Sequence, residues 1–415
     1  MPAMPIEAWI EENAADDVII FAKRLSRNDT QATNAHQAGP YIQKQVAFEL
    51  FPEVNRTDEL NPRVSFPMVI DSHVGERNPN PTLIYYNSRR FREGGTRNET
   101  RITGFGGQVS PFLDPANTGS VVALAFRRTE GEGVTCSAWV CESPDEEEAI
   151  EDLVGPIDPG RAVVWSPTRL AGELFGSISR MRKEPGRLEP EELPESWRTV
   201  YPTGAEIIAK TVELMPARGL DVDRRLLRRR DVEWQLYQSI ERAVESAHLN
   251  RTYEDLETLL KVAQSIHQRR RSRAGNSLEY HVREILREEG LVEGTDFGFK
   301  QVVYDGPVEK RPDLIFPNAD CYADTEWPAS RLRILAAKTT LKDRWRQVSP
   351  EADRVTPKHL LTLQEGVSVA QFREMTSSGI TLVVPAPLHE KYPASVQPGL
   401  MTLEGFIAEI RLLRR

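Results

Sequence analysis

The chain changes its hydrophobic pattern once, near residue 200, and that change constrains the fold more than any single motif. Before residue 176 the apolar residues fall in short β-branched and aromatic runs, FPMVIDSHV, TLIYYNS, SVVALAFRR, VTCSAWVCES and AVVWSP, separated by Asn, Gly and Pro. Such runs read as strands. From about residue 203 they recur at three- and four-residue spacing, in EIIAKTVELM, VEWQLYQSIERAVESAH and YEDLETLLKVAQSIH. These read as helices. Residues 176–200 between them are charged, hold three prolines and show no periodicity, which reads as a linker. A chain of 415 residues is also too long for one ordinary core. Two domains are therefore expected, a mainly β one over 1–175 and another over 201–415.

The last 140 or so residues alternate. A helix at SLEYHVREILREEG precedes strands at 299–304, 312–316 and 331–338, a helix at about 341–355, the strand HLLTLQ, the helix VAQFREM and the strand ITLVVP. TLEGFIAEIRLL closes the chain as a helix, with Thr402 as its cap and Leu403, Phe406, Ile407, Ile410 and Leu413 on one face. That order describes an α/β core around a mixed sheet.

A net charge of −9 argues against a nucleic-acid partner only if the basic residues are dispersed. They are not. Arg224, Arg225, Arg228, Arg229 and Arg230 form one group, Arg269, Arg270, Arg271 and Arg273 a second, and Arg89, Arg90, Arg92, Arg97 and Arg101 a looser third. Together they are expected to meet phosphates. No apolar run approaches the ~20 residues of a membrane span, and the N-terminus shows no basic-then-apolar leader, so a cytoplasmic location is expected. Cys136, Cys141 and Cys321 are too few for a disulfide framework and are expected to be reduced.

In RPDLIFPN, Asp313 opens one strand, and in LRILAAKTTLKDRW Lys338 ends another 25 residues later. Metal-assisted phosphodiester hydrolysis needs carboxylate oxygens for a hard cation and a positive group near the scissile phosphate. The usual arrangement places an acid two residues before the lysine, where this chain has Ala336. Either the chain is no nuclease or the second carboxylate comes from elsewhere; Glu351 and Glu279 are the candidates.

KTTLKDRWRQV, EAD and HLLTLQEGVS resemble the EcoRII family of type II (type IIE) restriction endonucleases, as do RRRSRAGNSLE, RPDLIFPNADCYADTEWP, LSRNDTQATNAHQAGPY, IYYNSRRF, TRNETRIT and DPANTGSVVALAF. The likeness runs from about residue 20 to the C-terminus. It implies a restriction-endonuclease-like PD-(D/E)xK core after the linker and a DNA-binding pseudobarrel before it. In the family a glutamate 13 residues beyond the lysine replaces the missing acid, which fits Glu351.

Position by position, the resemblance gives Glu279, Asp313 and Glu351 to a Mg2+ cage, with Asp313 and Glu351 the direct metal ligands, and Lys338 to the scissile phosphate. It puts Tyr322 near the reacting groups, Lys342, Asp343 and Arg344 on the outer C·G pairs, and Arg230 with Trp234 around a flipped central base. His36 and Tyr41 fall on one arm of the pseudobarrel, and Arg89, Arg97, Glu99 and Arg101 on the other. One departure stands out: Glu93-Gly94-Gly95 precedes Thr96, where the family has a lysine nearby.

The implied activity is cleavage of double-stranded DNA at a short palindrome bounded by CC and GG, CCWGG, by a homodimer whose first domain binds a second copy of the site as effector. A cognate methyltransferase is expected as a functional partner. Two other readings fit the residues: a repair or junction nuclease on the same core, and a DNA-binding regulator without catalysis.

Overall fold

The structure is a computed structural model that describes residues 4–15, 17–30, 32, 39–73, 78–91, 93–107, 109–129, 133–166, 185–217, 219–246, 256–341, 345–346, 348 and 352–414, with the backbone alone at 256–260, 263 and 274. The chain divides into two compact units. One comprises residues 1–170 with 364–371 and 391–393, the other residues 171–363 with 372–390 and 394–415.

The first unit runs α1 (Ile6–Asn13), β1 (Val18–Arg24), β2 (Tyr41–Ile42), α2 (Lys44–Leu50), β3 (Arg63–Ser65), β4 (Met68–Ile70), β5 (Thr82–Tyr86), α3 (Ser88–Phe91), β6 (Glu99–Thr103), β7 (Val121–Thr129), β8 (Gly133–Val140), α4 (Pro144–Val154) and β9 (Ala162–Trp165). Its strands form two sheets, ordered β4-β8-β7-β1-β9 and β2-β6-β5-β3. Alternation along the strands divides the apolar residues between two cores. Phe21, Val122, Leu124 and Phe126 face a core shared with Ile42, Leu83 and Ile102 of the second sheet. Ile20, Val121, Ala123 and Ala125 face Trp9 of α1 and Ile150 of α4.

Two glutamates of the acidic run 145–152 are structural rather than solvated. Glu147 and Glu151 on α4 are buried and pair with the buried Arg24 at 2.7 and 2.9 Å.

Further along lie α5 (Gly204–Leu214), α6 (Val222–Val244), α7 (Leu256–Glu288), β10 (Gly298–Phe299), β11 (Val303–Asp305), β12 (Val308–Lys310), β13 (Leu314–Phe316), α8 (Ala319–Ala323), β14 (Arg333–Ala337), β15 (Lys358–Leu361), α9 (Val369–Ser377), β16 (Ile380–Val383) and α10 (Leu403–Leu413). The sheet is mixed: β10-β13-β14 are antiparallel neighbours, and β14-β15-β16 are parallel. Leu278, Val282, Ile285 and Leu286 of α7, with Leu226 of α6 and Phe406, Ile407 and Ile410 of α10, cover one face through Leu314, Phe316, Leu335 and Ala337. Ile315 and Ile334 face the other way and pack with Tyr322, Ala352 and Val355.

Several expectations change. Over the described residues, the helices expected at 253–267 and 277–290 merge into one 33-residue helix, α7, which passes through Gly275 without a break. A glycine inside a helix costs about 1 kcal/mol, and packing on both sides of it offsets that. The strand expected at 299–304 is split between β10 and β11. The helix expected at about 341–355 does not reach its far end: Ala352 has φ +49° and Asp353–Arg354 form a turn. Described residues 185–200, expected as linker, fold into two short 3-10 turns, and Leu193 is buried against Leu236 and Ile240 of α6.

Much of the arginine expected to meet phosphate ties α6 to α7 instead. Arg229 pairs with Glu288 at 2.7 Å, Arg270 with Glu241 at 2.6 Å and Arg273 with Glu233 at 2.6 Å; Arg225 and Arg269 pair with Glu289 and Glu245. The cause is periodicity, which sets acids on one helix against arginines on the next. No helix among the described residues is long and apolar enough to cross a membrane.

Candidate active site

Asp313 and Lys338 meet because β13 and β14 are antiparallel neighbours whose paired residues, Leu314 with Leu335, set the register. The Asp313 Oδ2 atom accepts from the Ala337 backbone N–H at 2.8 Å and from Lys338 Nζ at 3.2 Å. Lys338 donates its own backbone N–H to Leu361 O at 2.9 Å, fixing it beside β15. Continuing the strand alternation, Ala336 and Lys338 lie on the face of Ile334, and Asp313 on that of Ile315. Ala336 is fully buried.

Glu279 reaches the same place from α7. Burial, and then the like charge of Asp313, raise its carboxyl above the ordinary range against the pull of Lys300 and Lys338. Lys300 Nζ lies 2.6 Å from Glu279 Oε2. The site therefore holds two carboxylates, each with its own lysine. Oxygen donors of this kind suit a hard divalent cation, and the mutual repulsion of the carboxylates is what such a cation relieves. Among the described residues no group of three or more potential ligands assembles. Glu351 lies outside the described residues, as do Lys342, Asp343, Arg344 and His36. Ala352 and Val355, just beyond Glu351, pack on the sheet face that bears Ala336.

Tyr322 belongs to a separate network. Its hydroxyl hydrogen bonds to Asp305 Oδ1 and accepts from the Arg354 backbone N–H at 3.4 Å, and burial pushes it up to about 12. Lys310 completes the group, 2.7 Å from Asp305 and 2.9 Å from Asp353.

Arg230 and Trp234 stand one turn apart on α6. Arg230 donates to Ser277 Oγ, and Ser277 in turn donates to the buried Glu233. Burial works to raise the Glu233 carboxyl, but Arg273, His281 and Arg230 outweigh it and hold the group well below the carboxylate range. Trp234 stacks with Tyr237 at 6.1 Å between centroids, and the Arg273 guanidinium lies 4.9 Å from the Trp234 ring.

In the first unit the β2-β6-β5-β3 sheet gathers the other candidates. Tyr41 pairs with Arg101 across β2 and β6, and Glu99 with Tyr86 across β5 and β6. Arg97 covers the Tyr86 ring at 4.4 Å and lies 3.5 Å from Glu99. The Arg89 N–H donates to Arg97 O at 3.0 Å, closing the β5–β6 loop. Gly94 and Gly95 make that closure possible. Gly94 has φ +76°, and a Cβ on Gly95 would stand 2.2 Å from Ser88 O.

Sequence reasoning missed two cations. Lys300 directly follows a two-residue strand in FGFK, where no spacing ties it to Glu279. Lys44, on α2, donates to Asn98 Oδ1 at 3.2 Å, within the TRNET segment itself.

Residues 14–169 match the family model "Restriction endonuclease EcoRII, N-terminal", and residues 237–407 match "EcoRII C terminal". The type II restriction enzyme EcoRII of Escherichia coli is 42% identical over 404 residues, covering 97% of this chain and 96% of that protein. Among solved structures, metal-depleted Ecl18kI in complex with uncleaved, modified DNA aligns with a TM-score of 0.42 at 17% identity, over 55% of this chain and 85% of the other. The UbaLAI restriction endonuclease B3 domain with cognate DNA aligns at 0.27 and 18% identity, over 38% of this chain and 97% of the other. With both halves matched by family models and a relative at this identity along nearly its whole length, the chain belongs to the EcoRII family of type II restriction endonucleases, which are site-specific deoxyribonucleases.

Proposed function

We propose that this endonuclease cuts double-stranded DNA at a short CC/GG-bounded palindrome, CCWGG, with Mg2+ as its cofactor. The observation that carries the reading is the pairing of Asp313 with Lys338 at one end of the mixed sheet, with Lys300 bonded both to Asp313 O and to the Glu279 carboxylate. Asp313, Glu279 and Glu351 would hold the cation, with Asp313 and Glu351 in direct contact. Support for Glu351 comes from Ala352 and Val355, which pack on the face where Ala336 supplies no acid. When bound, the metal supplies Lewis-acid stabilisation and a water acidic enough to attack at neutral pH. Lys338 steadies the scissile phosphate, and Asp313 orients Lys338 through its carboxylate.

Lys342, Asp343 and Arg344 directly follow this strand end in sequence and read the outer C·G pairs: arginine and lysine donate to guanine, and aspartate accepts from cytosine N4. Arg230 and Trp234 take the flipped central base. The Arg273 guanidinium beside the indole leaves a π-rich, cationic setting in which a base can stack. Tyr322 serves the site through the Asp305–Arg354 network rather than as a nucleophile, because its hydroxyl is engaged and pushed up to about 12.

The first unit, a pseudobarrel in this reading, binds an effector copy of the site through His36, Tyr41, Arg89, Arg97, Glu99 and Arg101. A palindromic target calls for a homodimer, one active site per strand, and a cognate methyltransferase to protect host DNA.

Incubation with plasmid and Mg2+, followed by sequencing of the ends, tests the reading. Double-strand breaks confined to CCWGG with 5′ phosphates are expected, and a chelator should stop them. Cleavage of branched or mismatched DNA regardless of sequence would identify a repair nuclease instead. Specific binding without cleavage would identify a regulator.

A further inference from the structure

Lys300 occupies a seat built for a cation. Its ammonium lies 2.6 Å from Glu279 Oε2 and donates to Asn276 Oδ1 at 3.1 Å. The ring centroids of Tyr280 and Phe299 stand 5.8 and 5.7 Å away, within cation–π range. The backbone is committed as well. Lys300 has φ +48°, where glycine or asparagine fits better, and its N–H donates to the carbonyl of Asp313 at 3.0 Å. Main chain and side chain thus tie this one residue to both acidic residues of the candidate metal site, to the peptide carbonyl of Asp313 and to the carboxylate of Glu279.

Charge makes the arrangement consequential. Asp313 is matched by Lys338 at 3.2 Å and Glu279 by Lys300, so these four groups sum to zero. A dication entering a neutral site gains little; entering a site with one ammonium withdrawn, it gains a net attraction. Lys300 is about one-third exposed, so its flexible stem can carry the ammonium into solvent when a dication takes its place beside Glu279.

We propose that Lys300 is an internal counter-ion that occupies the Glu279 carboxylate in the metal-free enzyme, must be displaced when the divalent cation enters, and so sets how tightly the site takes metal. The inference rests on the reading of Glu279 and Asp313 as part of the metal site. It makes Lys300 a positioning residue that acts through Glu279.

Mn2+ binding to the full-length protein without DNA, followed through the loss of the free Mn2+ EPR signal, tests it. Lys300→Met should bind Mn2+ about tenfold more tightly than the natural protein. Lys300→Arg, which keeps the charge, should stay within about twofold of it. Ca2+ should raise the Tm of the Met variant by more than it raises that of the natural protein. Should the Met variant fail to fold, Lys300→Gly accepts the left-handed backbone and carries the same expectation. If Asp313→Ala abolishes Mn2+ binding while the Lys300 variants bind no better than the natural protein, the counter-ion role is wrong and the metal site stands. If Asp313→Ala leaves Mn2+ binding unchanged, the metal site itself is wrong, and the role of Lys300 goes with it.

Discussion

Ala336 is the residue at which this chain departs from the usual nuclease arrangement, and its burial sharpens what the departure means. A carboxylate at a fully buried strand position is costly unless it meets a cation. Moving that acid to another segment leaves the strand an ordinary apolar member of the sheet. Asp313→Ala removes the acceptor of both the Ala337 N–H and Lys338 Nζ, so it strips the site of a carboxylate and frees the lysine at once. Single-turnover cleavage should fall by about 10²–10³-fold or more, with binding of cognate DNA in Ca2+ largely kept. Glu351→Ala should behave alike, and Ala336→Glu added to it should restore part of the rate. Cleavage by Glu351→Ala at the natural rate would remove Glu351 from the site. Of these groups, Asp313, Lys338 and the gap at Ala336 were legible in sequence because two strands of known length place them. Lys300 was not, because its approach to Glu279 depends on where α7 crosses the end of β10.

Elements were legible where their period was strong and illegible where a residue's role depended on its neighbour. Helix α10 matches its expected cap and face: Thr402 Oγ1 accepts from the Gly405 N–H at 2.9 Å, and Phe406, Ile407 and Ile410 are buried. The arginine clusters on α6 and α7 looked like phosphate ligands because the acids that pair with them lie far away in sequence. Glu233 is the centre of that pairing, buried with Arg273, His281 and Ser277 on it. Glu233→Ala should therefore strand a buried guanidinium and destabilise the protein by roughly 3–5 kcal/mol, read from urea unfolding. A loss under about 1 kcal/mol would show that Arg273 finds solvent or another partner. The β5–β6 loop poses the opposite case, a local feature with a long reach. Gly95→Ala drives a methyl into Ser88 O and should open the Arg89–Arg97 closure. The variant should bind effector DNA several-fold more weakly in a gel-shift assay while the cleavage centre keeps its affinity for metal. Unchanged effector binding would mean that the loop does not contact DNA.

At the scale of the molecule, two hydrophobic patterns announced two units, but the boundary between them was set by packing that composition conceals. Prolines and charges made 176–200 read as a tether throughout, yet its described part belongs to the helical core. Leu193 fills a site among Ile207, Leu236 and Ile240, and a Cβ on Gly186 would meet Val232 O at 2.4 Å. Leu188 and Trp197 pack on the same cluster. A cleavage fragment cut at residue 201 therefore loses a piece of its own core, whereas one beginning at 185 keeps it. Burying a leucine side chain contributes about 1.5–3 kcal/mol, so the two fragments should differ in stability by several kcal/mol and in Tm by many degrees. The 185–415 fragment contains all the proposed catalytic and base-reading residues and should cut DNA bearing a single site unaided. A fragment of residues 1–175 should bind the same sequence without cutting it, with affinity that falls steeply as salt rises, because phosphate contacts release counterions. The comparison is made by urea unfolding of both C-terminal fragments and by cleavage of a one-site plasmid. Equal stability of the 185–415 and 201–415 fragments would show that the turns at 190–198 add nothing to the core. A folded 185–415 fragment that cannot cut would show that the first unit supplies part of the catalytic machinery.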